Sequence, residues 1–142
     1  MHMLYHVPEP VAAVRELRRI TRPAGQVLVV LNGADHLCEL RDLIAAALRD
    51  IADDEPPLWE RRTLDDSVEL LASEFAQITR HEFTGELLIP HPQPVEDYGR
   101  SMITTQNLQD PGAFAAAVSR GIPTDDQGIF RVRTHCGCLV CS

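Results

Sequence analysis

The first thirty-three residues constrain the fold more than any other stretch: a turn, a helix, a tight connection and a buried strand follow one another without a spare residue. Pro8 and Pro10 suit an entry turn and a first helical position, where a missing N–H costs nothing. Val11, Val14, Leu17 and Ile20 recur every three residues and predict one apolar stripe, with Arg15, Glu16, Arg18 and Arg19 facing water. Arg18, Arg19 and Arg22 crowd the last turn, where positive charge favours the helix dipole. Pro23 and Gly25 then stop the helix. Val27 to Leu31 is a continuous, β-branched apolar run, the pattern of a parallel strand covered on both faces. A helix, a short turn and a buried strand make half of a βαβ unit, so the expected class is α/β.

The rest of the chain extends that pattern. Leu37, Leu40, Ile44, Ala47, Leu48 and Ile51 follow helical spacing and predict a helix over 35–52. An acidic, Pro-rich loop from Asp53 to Pro57 ends it, with Trp59 close by as a cover for a pocket or an exposed apolar patch. Thr63 with Asp66 three residues on is a capping box, opening a helix with Leu64, Val68, Leu71 and Phe75 inward. Residues 77–89 read as extended, Phe83, Leu87, Leu88 and Ile89 supplying the apolar content and Gly85 suggesting a break. Pro94 and Pro111 suit the first turns of two further helices, the second capped by Asp110. Gly121 to Gly128 is a turn region, and the chain closes with a strand from about Ile129 to Cys141. On that strand Phe130, Val132, Thr134, Cys136, Cys138 and Val140 share one face; Arg131, Arg133, His135, Leu139 and Cys141 share the other. Three or four strands and four or five helices are expected, in one domain.

Composition narrows the partners. A net charge of -8, with 13 basic residues scattered among 142, argues against a nucleic-acid backbone, which needs clustered Lys and Arg. No apolar stretch approaches the roughly 18 residues of a membrane span, so no membrane partner is expected. No signal peptide precedes the first helix, and a cytoplasmic location is expected.

In order and spacing, these segments resemble the latter half of a class I S-adenosylmethionine (SAM)-dependent methyltransferase of type 11. His2-Met3-Leu4-Tyr5-His6 resembles the segment after a sheet strand in that family. Glu16 to Ile20 resembles the end of the following helix, and Arg22 to Gly25 the turn before the next strand. Asn32 to Leu37 is similar to the loop after the fifth strand. Val95 to Tyr98 with Ser101 and Met102 resembles a substrate-side lid helix. The resemblance implies a partial Rossmann-like fold: the later strands and helices of a mixed sheet, the last strand inserted antiparallel between its two predecessors. It also implies that residues 1–142 are a single C-terminal part of such a domain. The family's Gly-rich cofactor loop has no counterpart, because no two of the eight glycines stand two residues apart.

In an open α/β sheet, ligands bind beyond the carboxyl ends of the strands. By the resemblance, His2, Met3 and Leu4 would line the methionine and adenine side of the cofactor SAM. His6 would be a general base, since an imidazole titrates near neutrality; otherwise it caps the helix or bonds a carbonyl. Asn32 and His36 would bind a polar group of a small-molecule substrate, unless His36 is an exposed helix-start residue. Tyr98 and Met102, four apart on one helix face, would close over that substrate or pack as plain core. His135-Cys136-Gly137-Cys138-Leu139-Val140-Cys141 is not a common structural zinc spacing, and a straight strand turns Cys141 away from Cys136 and Cys138. No metal is expected there; buried free thiols are the simpler account. Two functions follow: SAM-dependent methyl transfer, with the cofactor loop outside these residues, or a non-catalytic methyltransferase-like remnant. The remnant would dimerise with a second copy through a sheet edge bared at Val27 to Leu31.

Overall fold

The computed structural model describes residues 4–51, 62–102 and 110–142. After a single 3-10 turn at Leu4–His6, the elements are α1 (Pro10–Ile20), β1 (Val27–Asn32), α2 (Cys38–Ile51), α3 (Leu64–Ala72), β2 (Ile78–Ile89), α4 (Gln93–Ser101), α5 (Pro111–Gly121) and β3 (Phe130–Cys141). The sheet order is β1-β3-β2, with β3 antiparallel to β1, so the last strand is inserted between its predecessors as expected. The register runs from Val27 opposite Cys141 to Asn32 opposite Cys136 without a bulge. Cys136 and Cys138 therefore share a face from which Cys141 turns away, and all four cysteines are free. No helix among the described residues is long and apolar enough to cross a membrane.

The local chemistry of the elements follows the sequence closely. Pro10 and Pro111 open α1 and α5, and Pro94 lies in the first turn of α4. The Asp110 carboxylate accepts from the Ala113 N–H at 2.9 Å. Both halves of the capping box of α3 form: Thr63 Oγ1 accepts from the Asp66 N–H, and Asp66 Oδ2 accepts from the Thr63 N–H at 2.9 Å. Arg18 and Arg19 end α1, the first with its guanidinium 5.9 Å from the Phe75 ring.

Four features differ from expectation. On α1, Val14 is fully buried and Leu17 half-buried, while Val11 and Ile20 are 49% and 59% exposed. A strict three-residue repeat slips by about 60° per step on a helix, so the first and last members of that stripe face opposite ways. On β1 only Val29 and Leu31 are buried and Leu28 is 52% exposed: the alternation of a strand covered on one face, not two. Helix α2 begins at Cys38, not at residue 35, because Leu37 is in the left-handed region (φ 54°) and cannot propagate the helix. Strand β2 is unbroken through Gly85, where a Cβ would come within 3.1 Å of Thr134 Oγ1. The loop from Asp53 to Pro57 and Trp59 lie outside the described residues.

The described residues pack as two compact units. The first comprises residues 4–36, 62–85 and 134–142; its core joins Leu4, Val14, Val29, Leu31, Leu64, Leu71, Phe75, Leu139 and Cys141. The second comprises residues 37–51, 86–102 and 110–133; its core joins α2 and α5 around Ile44, Leu48, Phe114, Val118, Phe130 and Val132. Burial along β3 thus changes parity, from the even-numbered Phe130 and Val132 to the odd-numbered Gly137, Leu139 and Cys141.

Candidate functional site

The site builds from the carboxyl end of β1, where an open α/β sheet places its ligands. Asn32 ends the strand, half-buried, opposite Cys136. Gly33 then donates its N–H to the His135 carbonyl at 3.0 Å. Glycine is required there: a Cβ would lie 2.6 Å from both Cγ and Cε1 of the His135 ring. The imidazole therefore rests directly on the Gly33 backbone.

A turn closed by the His36 N–H on the Gly33 carbonyl (3.2 Å) brings Asp35 and His36 beside the same ring. His135 Nδ1 meets Asp35 Oδ1 at 2.5 Å, and Nε2 meets Glu82 Oε2 on β2 at 2.8 Å. The His135 backbone N–H donates to His36 Nδ1 at 3.0 Å. A backbone N–H can only donate, so the His36 ring proton stands on Nε2. Glu82 is held in turn by Arg80, whose Nε lies 2.6 Å from its Oε1; Arg80 Nη1 lies 2.6 Å from Asp65 Oδ1. One continuous network, Asp35–His135–Glu82–Arg80–Asp65, thus runs through the first unit.

Its electrostatics follow from those contacts. The His135 side chain is only 13% exposed. The hydrogen bond to Asp35, then that to Glu82, raises its pKa above the ordinary 6.5, with burial opposing. The bonds from His135 and Arg80 hold the Glu82 carboxyl below its ordinary range. The cluster is an imidazole gripped between carboxylates, able to store a proton or to orient a ring nitrogen toward an acceptor.

The other expected site residues are more dispersed. His2 and Met3 lie outside the described residues, and Leu4 is fully buried in the core of the first unit. His6 ends the 3-10 turn with an exposed side chain. In the second unit, Tyr98 is 41% exposed on α4 and Met102 is half-buried against the core, just past the helix end. Leu4 thus faces inward, and the sequence carries no Gly-rich loop. The Cys38 and Cys141 thiols are pushed up in pKa, chiefly by burial, which makes poor nucleophiles. Among the described residues no group of three or more His, Cys, Asp or Glu could hold a metal ion. Asp35, Glu82 and His135 were not singled out as a site from the sequence. The one signal was His135 standing among arginines on the odd-numbered face of β3.

No family model and no curated protein matches the chain. Among solved structures it is similar to BH2331 of Bacillus halodurans C-125, a candidate methyltransferase, with a TM-score of 0.52 and 17% identity. The likeness covers 99% of this chain and 65% of that one, so the chain spans less than two thirds of its neighbour's length. YcgJ of Bacillus subtilis is similar over 98% of this chain and 60% of its own, at 15% identity and a TM-score of 0.46, too weak to add weight. With β3 antiparallel between β1 and β2, and with helices joining the strands, the chain has a methyltransferase-like fold, one that matches part of its neighbour's.

Proposed function

We propose that the chain forms the substrate-side part of a SAM-dependent methyltransferase acting on a small molecule. The observation that carries this reading is the Asp35–His135–Glu82 cluster at the carboxyl end of β1, within a methyltransferase-like sheet. SAM would supply the methyl group; the loop that grips it would come from residues other than these 142, or from another chain. The third of the BH2331 fold left uncovered is where such a part would lie.

The chain's own residues would manage the acceptor. An O–H or N–H nucleophile gives up a proton as it is methylated. An acceptor that takes the place of Glu82 at His135 Nε2 has a base in reach, while Asp35 holds Nδ1–H and fixes the ring. Asn32 and His36 border the same strand end and are the polar contacts for the acceptor. Because the base must be neutral, the rate should rise as pH passes upward through the raised pKa of His135.

The test is transfer of label from methyl-tritiated SAM to small molecules of a host extract, using the protein as its host makes it with any accompanying chains. His135→Gln should lower transfer about 100-fold or more and abolish the alkaline rise. His6→Gln should change it little; the opposite ranking moves the base to His6. Labelling of nucleic acid or protein instead would contradict the reading. A dimer that transfers nothing would favour the non-catalytic module, paired through the edge of β1 at Val27 to Leu31, an end strand in the order β1-β3-β2.

A further inference from the structure

The second unit contains a hollow of about 330 Å³ between the start of α2, the end of β2 and α4. Its depth is set by Leu40 and Val95, both buried; its rim is Leu87, Leu88 and Tyr98, all exposed. Among the described residues that line it none carries a charge, and the Tyr98 hydroxyl is the one polar side-chain group.

Two further features distinguish this hollow. Leu37, also in the lining, is in the left-handed backbone region (φ 54°), which disfavours any residue bearing a Cβ. The N–H bond from Leu37 to the Arg133 carbonyl, 2.9 Å, holds it there. Backbone strain of this kind persists where surrounding structure imposes it, and it gathers at ligand clamps. Pro90 and Pro94 stiffen the opposite wall, so little ordering is left for a ligand to induce.

The geometry points to a binding site for a neutral, apolar small molecule of one or two rings, with a single group to meet the Tyr98 hydroxyl. The volume is at the lower end of the range for ligand sites, roughly 300–1,000 Å³, and about twice that of a cavity that holds benzene. A carboxylate or ammonium would lose its hydration with no charge in the lining to replace it. The inference stands apart from the proposed methyl transfer, since nothing in it involves SAM.

Methyl-resolved NMR of the whole chain, titrated with p-cresol and separately with p-toluate, tests it. p-Cresol should shift the methyl signals of Leu37, Leu40, Leu88 and Val95 saturably, and p-toluate should bind at least about tenfold more weakly. Tyr98→Ala should weaken p-cresol about tenfold, and Leu88→Glu should abolish its binding. Both side chains are exposed, and unchanged signals from Ile44 and Val118, in the core of the same unit, would confirm that the variants fold. Non-saturable or scattered shifts, or equal binding of the two probes, would overturn the proposal. So would shifts of the same methyls that grow with protein concentration alone, which would identify a second copy as the occupant.

Discussion

Phe114→Ala should cost the chain about 3–5 kcal/mol, a large fraction of the stability of any domain this size. Phe114 is fully buried on α5, in the core it forms with Ile44, Leu48 and Val118. Its ring presses on α4, where a Cβ at Gly99 would stand 2.8 Å from Cε1 and 2.9 Å from Cζ. Such close approach leaves no side chain on Gly99 to relax into the vacated volume, so the cavity stays open and the cost lies toward the upper end. Chemical denaturation should show the midpoint falling at unchanged slope, and the thermal midpoint should drop by roughly 10 °C. A loss below about 1 kcal/mol would mean that α4 and α5 do not pack as described.

Gly33→Ala should destabilise the first unit through the His135 ring. The added methyl would occupy the space of the His135 imidazole. Displacing the ring costs about 1–3 kcal/mol as overpacking, and it also separates His135 from Asp35 and Glu82. The second effect has a pH signature. His135 has a folded pKa above its ordinary 6.5, so its contribution to stability is fully present below 6.5 and is lost as pH rises through the raised value. Glu82 has a folded pKa below its ordinary 4.5, so its contribution is present above 4.5 and lost as pH falls through the depressed value. The cluster is therefore most stabilising between pH 4.5 and 6.5, and its contribution fades from there up to the raised His135 value. Denaturation of the unaltered chain across pH 5 to 9 should show stability declining on the alkaline side. Gly33→Ala and His135→Gln should both flatten that decline. A Gly33→Ala protein that keeps the full decline would show that the ring does not rest on Gly33.

The parts of this fold legible in the sequence are those set by chemistry within a few residues. The capping box at Thr63, the Asp110 cap and the first-turn prolines each act over a single helical turn, so spacing alone locates them. The insertion of β3 between β1 and β2 was legible through family resemblance, because order along the chain carries it. Leu37 was not. Nothing about a leucine in a helical pattern announces a positive φ, which here comes with a bond to a carbonyl 96 residues later. The stripe of α1 failed by arithmetic, since a repeat of three is not a repeat of 3.6. The cluster at His135 was illegible for a related reason. Asp35, Glu82 and His135 belong to three separate segments and meet only through the strand order. Asn32 and His36 were expected at that strand end; the partner His135 that His36 meets there was not.

The most direct measurement is calorimetric titration with SAM, of the isolated 142-residue chain and of the protein taken from its host with any accompanying chains. The host preparation should bind at micromolar concentration. The isolated chain should bind no tighter than about 1 mM, roughly -4 kcal/mol. Micromolar binding by the isolated chain would show a complete cofactor site within these residues. Absence of binding by the host preparation would contradict the proposed methyl transfer itself.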